Sequence, residues 1–240
     1  VNNAAQAATL QAILFQHQQN HFYDEAPGNI ETLSLLDDYA MLLGVEYGAY
    51  ASYYEGSYFV SNLVQGSATN VTLPIKSTGV AVFHTHPEGD PNNPNLTGPS
   101  STDFLDLLVR ADASSFGLKD SYIYAYDGSK YVMHIEDTTL ARTFMTTNSY
   151  LLSAEGLDAN AGSFEDGTTN RIIYNDLYYS AINANLSEFE AHDYAMVLIM
   201  QAAGVSLLKQ ESGGTAFKQM GVTETVTSSG STHYQPYKCQ

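Results

Sequence analysis

Residues 78–87, TGVAVFHTHP, form a nearly continuous apolar run that closes on two histidines and a proline. Such a run reads as a strand buried at the centre of a sheet. Residues two apart on a strand point to the same side, so His84 and His86 aim both imidazoles at one place. Downstream, Pro99-Ser100-Ser101-Thr102-Asp103 reads as a helix start, with Ser100 able to cap free backbone N–H groups and Asp103 in the first turn. Two imidazoles and one carboxylate, with a fourth position left for water, are the donor set of an open tetrahedral zinc site. His84, His86 and Asp103 are therefore the candidate metal ligands, and zinc (Zn2+) the candidate cofactor.

A hydrolytic site of this kind also needs a general base, and two glutamates precede the histidines. Glu46 lies in the strand pattern VEYGAYASYY, and Glu55 in YEGS, the turn of a hairpin into SYFVSNLV. A turn is solvated, whereas the base must sit beside the activated water, so Glu46 is preferred over Glu55. The other histidines carry weaker signals. His17 and His21 are i, i+4 on a helical pattern, but Gln18 stands where an HExxH signature has Glu. His134, among Tyr131, Met133 and Ile135, and His192, in the early turns of an apolar helix, both read as packing residues.

The succession Glu46, then His84-Thr85-His86-Pro87, then Ser100-Ser101-Thr102-Asp103 resembles the JAMM (MPN+) metalloprotease family. That family's pattern is an upstream Glu, His-x-His-Pro and Ser-x-x-Asp. The words HTHPEGDP and GPSSTD are also similar to the bacterial RadC branch of the superfamily. The chain departs from the pattern in the loop between His86 and Asp103, which is several residues longer, with PNNPNLTG as the insertion. The resemblance covers residues 30–136. It implies an α/β fold with a JAMM/MPN-like (cytidine-deaminase-like) mixed sheet flanked by helices. It further implies hydrolysis of a peptide or isopeptide amide bond. Glu46 would take the proton of the attacking water, and Ser100 would donate a hydrogen bond to the tetrahedral oxyanion. A second reading keeps the fold and drops the chemistry, leaving a non-catalytic MPN-like binding or scaffolding domain. Such domains usually lose the His or Asp ligands, and here all are present.

Charge narrows the partners. Nine Lys and Arg stand against 26 Asp and Glu, for a net charge of −17. That excess repels a phosphate backbone or an anionic membrane surface and suits a neutral or cationic peptide or protein substrate; no nucleic acid partner is expected. Cys239 is the single cysteine, so no internal disulfide forms. No apolar run approaches a membrane span; AMVLIM at 195–200 is the longest strongly apolar word. Few Lys and many Asn, Thr, Ser and Tyr lean toward an extracytoplasmic setting.

Three segments are expected: residues 1–29 as an N-terminal helical segment, 30–136 as the metal-binding core, and 137–240 as a helical extension with a terminal β-hairpin packed on the core. In the core, a helix over 30–43 with Gly44 at its C-terminal cap, a helix from Ser100 to Arg110, and a hairpin across Gly128-Ser129 are predicted. Residues 87–99, rich in Pro, Asn and Gly, read as a loop over the site. In the extension, helices over 138–152, 171–183 and 187–203 follow, the last opening with the capping-box pair Ser187 and Glu190. A final hairpin over 204–219 turns at Glu211-Ser212-Gly213-Gly214, and the residues after it are expected to fray.

Overall fold

The computed structural model of this 240-residue chain describes residues 30–41, 44–54, 57–75, 78–88, 97–113, 117–148, 157–158, 163–164, 168–226 and 232–238. The expected N-terminal helical segment over 1–29 with His17 and His21, Glu55, most of the loop between the histidines and Ser100, and Cys239 lie outside them.

The architecture is α/β, with a mixed sheet flanked by helices. In chain order the elements are α1 (Ile30–Ala40), β1 (Tyr47–Tyr54), β2 (Ser57–Val60), β3 (Val64–Gln65), β4 (Gly79–His86), α2 (Ser101–Ala113), β5 (Asp120–Ala125), β6 (Lys130–Ile135), α3 (Thr138–Thr147), the short pair β7 (Leu157–Asp158) and β8 (Ser163–Phe164), α4 (Thr169–Asn183), α5 (Glu188–Ala202), β9 (Val205–Gln210), β10 (Lys218–Val226) and β11 (Thr232–Lys238). The main sheet runs β11-β10-β9-β6-β5-β4-β1-β2, with β3 also paired to β1. Among the described strands β4 and β5 are the one parallel pair, from Ala81↔Asp120 to His86↔Ala125. Parallel neighbours need a crossover, and α2 supplies it.

β4 is central because its side chains can be. Every residue from Ala81 to His86 is buried. On one face of the sheet Val82, Ile123, Met133 and Leu207 pack against Phe104, Leu107 and Leu108 of α2, Phe144 of α3 and Met196, Val197 and Met200 of α5. On the other face Ala81, Phe83, Tyr122 and Val132 meet Leu36 and Ala40 of α1. Burying one such large side chain fully stabilises the fold by about 1.5–3 kcal/mol.

α1 stops at Ala40, short of the expected 43, and Gly44 takes φ +82°. α3 stops at Thr147, with Asp137 as its N-cap accepting from the Thr139 and Leu140 N–H groups. The capping box of Ser187 and Glu190 forms as expected. α5 is buried over almost its whole circumference, which is why its AMVLIM word is so apolar. No helix among the described residues is long and apolar enough to cross a membrane.

The C-terminal part departs from expectation. β9 inserts beside β6, from Lys130↔Gln210 to Ile135↔Val205, so the sheet itself runs across the boundary expected near residue 136. Where frayed chain was expected, residues 220–226 and 232–238 form strands: β10 continues to Val226 and pairs with β11 from Met220↔Lys238 to Val226↔Thr232. The β-branched and aromatic content of VTETV and THYQPY favours strands. Pro236 is tolerated because β11 is the edge strand.

Candidate metal centre

The end of β4 meets the start of α2, and this is where the predicted ligands gather. His84 and His86 are each 8% exposed. Their Nε2 atoms lie 3.2 Å apart. His84 Nε2 is 3.2 Å from Asp103 Oδ1, and His86 Nε2 is 3.3 Å from Asp103 Oδ2. Ligands bound tetrahedrally at zinc's usual bond lengths of about 2.0–2.1 Å stand about 3.3 Å from one another. The two nitrogens thus already sit at the edge length of that tetrahedron, with the carboxylate spanning both. Among the described residues this is the one group of three His, Cys, Asp or Glu side chains whose ligand atoms lie within 4.8 Å of one another, and it could hold a metal ion.

Asp103 is aimed by its own helix start. Ser100 is the residue before α2, and its backbone N–H and its hydroxyl both donate to Asp103 Oδ2 at 2.8 Å. The Asp103 N–H donates back to Ser100 Oγ at 3.1 Å. This reciprocal pair is a capping box with Asp as its acid. Burial would raise the Asp103 carboxyl, but the adjacent His84 and His86 outweigh it and hold the group well below the usual carboxylate range. The hydroxyl proton of Ser100, expected to serve an oxyanion, is engaged with Asp103 here.

Glu46 immediately precedes the neighbouring strand β1. β1 and β4 are antiparallel with Gly48 opposite His84 as the last pair, and the strand alternation carried back two residues, one beyond β1, turns Glu46 toward the face of His84 and His86. Its backbone is pinned on both sides. Its N–H donates to the Ser67 carbonyl at 2.6 Å, and its carbonyl accepts from Gly66 N–H at 2.8 Å. Next to it, Tyr47 N–H donates to Thr85 Oγ1 at 2.9 Å. Burial raises the Glu46 carboxyl above its ordinary value; His84 and His86 pull it down, and Asp103 adds to the rise. Its proton affinity therefore answers to all three proposed ligands. Glu55 lies outside the described residues; its neighbour Tyr54 pairs with Ser57 at the far end of β1 from Gly48.

Sequence reasoning missed the support that α5 supplies. The segment Thr97-Gly98-Pro99, just before Ser100, is buried. His192 of α5 donates from Nε2 to the Pro99 carbonyl at 3.0 Å, and Tyr174 of α4 donates its hydroxyl to His192 Nδ1 at 2.8 Å. A Cβ on Gly98 would come within 2.0 Å of Asp193 Oδ1, so no side chain fits there. Asp193 is fully buried and bonded through Oδ2 to Lys209 Nζ and the Tyr131 hydroxyl, both at 2.9 Å. Tyr131 in turn lies 3.2 Å from Thr97 Oγ1. The one local hint was the pair His192-Asp193 inside an apolar helix, since buried polar groups require partners. His134 pairs instead with Asp120 at 2.7 Å, at the opposite end of β5 from His86's neighbour Ala125.

The structure thus brings His84, His86, Asp103 and Ser100 into contact, with Glu46 on the same face. No family model matches the chain, and neither a curated protein nor a solved structure matches it significantly.

Proposed function

We propose that this chain is a zinc-dependent metallohydrolase of the JAMM/MPN+ type, cleaving a peptide or isopeptide amide bond with activated water. The observation that carries the reading is the meeting of one carboxylate and two imidazoles at tetrahedral edge distances, on a face shared with a second, raised carboxyl. His84, His86 and Asp103 would hold the ion; imidazole and carboxylate donors with second contacts are what zinc takes. Bound there, zinc would supply Lewis acidity toward a water molecule and toward the scissile carbonyl.

The chain's own residues do the rest. Glu46 takes a proton from the attacking water on its carboxylate and returns it to the leaving amine nitrogen. A carboxyl raised by burial suits both halves of that transfer near neutral pH. Ser100 keeps Asp103 turned toward the histidines, and it serves the oxyanion only if its hydroxyl proton leaves Asp103 Oδ2. The acidic surface favours a neutral or cationic peptide as substrate.

Elemental analysis of the purified chain, followed by a peptide-library digest with and without chelator, tests the proposal. One zinc per chain and chelator-sensitive cleavage are expected. A chain that takes up no zinc would leave the non-catalytic binding domain as the better reading.

A further inference from the structure

We propose that His192 of α5 is a positioning residue for the metal centre, acting through the peptide group between Pro99 and Ser100. The inference rests on the zinc-site reading above.

The Pro99 carbonyl and the Ser100 N–H belong to the same peptide group, which is rigid. Its oxygen accepts from His192 Nε2 at 3.0 Å. Its N–H donates to Asp103 Oδ2 at 2.8 Å, and that oxygen lies 3.3 Å from His86 Nε2. Turning the peptide plane breaks both hydrogen bonds together. The orientation of the Asp103 carboxylate is thereby tied to a side chain 89 positions further along the chain, counted from Asp103 to His192.

The histidine is built for that task. A carbonyl only accepts, so Nε2 carries the hydrogen; Nδ1 is then the acceptor for the Tyr174 hydroxyl at 2.8 Å. Both ring nitrogens are engaged and the tautomer is set. Burial lowers the ring to about 4, so it stays neutral at pH 7. The flanking residues are packed as well: Gly98 lies against Asp193 with no room for a Cβ, and Thr97 reaches Tyr131. Outer partners of this kind typically change metal affinity by about ten- to a hundredfold when removed.

The test measures zinc affinity by competition with a chromophoric chelator, and the visible spectrum of the Co2+-loaded protein. His192→Leu is expected to weaken zinc by about ten- to a hundredfold and to alter the Co2+ bands. His192→Gln, whose amide NH2 can reach the Pro99 carbonyl, should restore affinity to within about threefold of wild type. Leu36→Ala, a core truncation on the other face of the sheet, should lower Tm and leave zinc affinity unchanged. If His192→Leu does not fold, Tyr174→Phe gives the same reading with a smaller weakening. Wild-type zinc affinity and Co2+ spectrum in His192→Leu, or in Tyr174→Phe where that variant stands in, overturn this proposal alone. A wild-type chain that binds no zinc overturns the metal centre and this proposal together.

Discussion

The hydroxyl of Ser100 donates to Asp103 Oδ2 at 2.8 Å, and the same oxygen lies 3.3 Å from His86 Nε2. One hydroxyl proton cannot serve a ligand carboxylate and a reaction oxyanion at once. The arrangement therefore separates two roles for Ser100, and they predict different losses. Ser100→Ala removes a helix cap, at a cost of about 1 kcal/mol in stability. It also removes the hydroxyl bond to Asp103 Oδ2 and leaves only the backbone N–H to orient the carboxylate, so zinc affinity is expected to fall by about tenfold. Chelator competition and urea unfolding measure the two effects. Unchanged affinity with slower turnover would assign the hydroxyl to the oxyanion instead.

Glu46 shares the face of His84 and His86 and is not one of the proposed ligands. Glu46→Gln keeps the shape and removes the base. Turnover of a cleaved library peptide is expected to fall by at least about a hundredfold, the usual contribution of a general base. Zinc content, read by elemental analysis, should stay at the wild-type level. Full activity in the variant would move the role of base to another residue.

How far the sequence alone reaches differs between these residues, for a physical reason. β4 and its histidines were legible because burial on both faces leaves an apolar run, and because i, i+2 spacing sets a common direction. The Ser100–Asp103 and Ser187–Glu190 boxes were legible because capping is local, within four residues. The clamp on Pro99 was not. His192 lies 93 positions from its carbonyl partner and Tyr131 lies 62 from Asp193, and no local period encodes contacts at that range. Nor was the place of β9: its apolar pattern fits a hairpin packed on the core as well as a strand inside the sheet, and only pairing with β6 decides.

The Asp193–Lys209 pair is 0% and 7% exposed at the side chain, so water screens little of it. Lys209 also lies over the Tyr131 ring at 5.0 Å. Lys209→Met leaves a carboxylate buried without its cation and is expected to cost about 3–5 kcal/mol. Adding Asp193→Asn removes the stranded charge while retaining an acceptor for Tyr131, so the double variant should regain most of that loss. Urea unfolding of the four proteins in the cycle gives the coupling. Additive losses would mean that the two charges act independently despite their 2.9 Å contact.

Burial of His192 also sets how the fold responds to acid. The ring titrates near 6.5 when unfolded and at about 4 in the fold, the largest cause being its removal from water. Its proton is thus bound more tightly by the unfolded chain. Above about pH 6.5 both states hold the ring neutral and this group costs nothing. As pH falls from there toward 4 the unfolded chain takes up the proton first, and stability drops by about 3 kcal/mol in all. His192→Gln lacks that titration. The unfolding free energy of the metal-free wild type, minus that of the variant, should therefore shrink by about this amount between pH 7 and pH 4. The difference isolates the ring, because the remaining carboxylates titrate in both proteins. A constant difference across that range would mean that the folded ring accepts protons as readily as the unfolded one, and that burial does not hold it neutral.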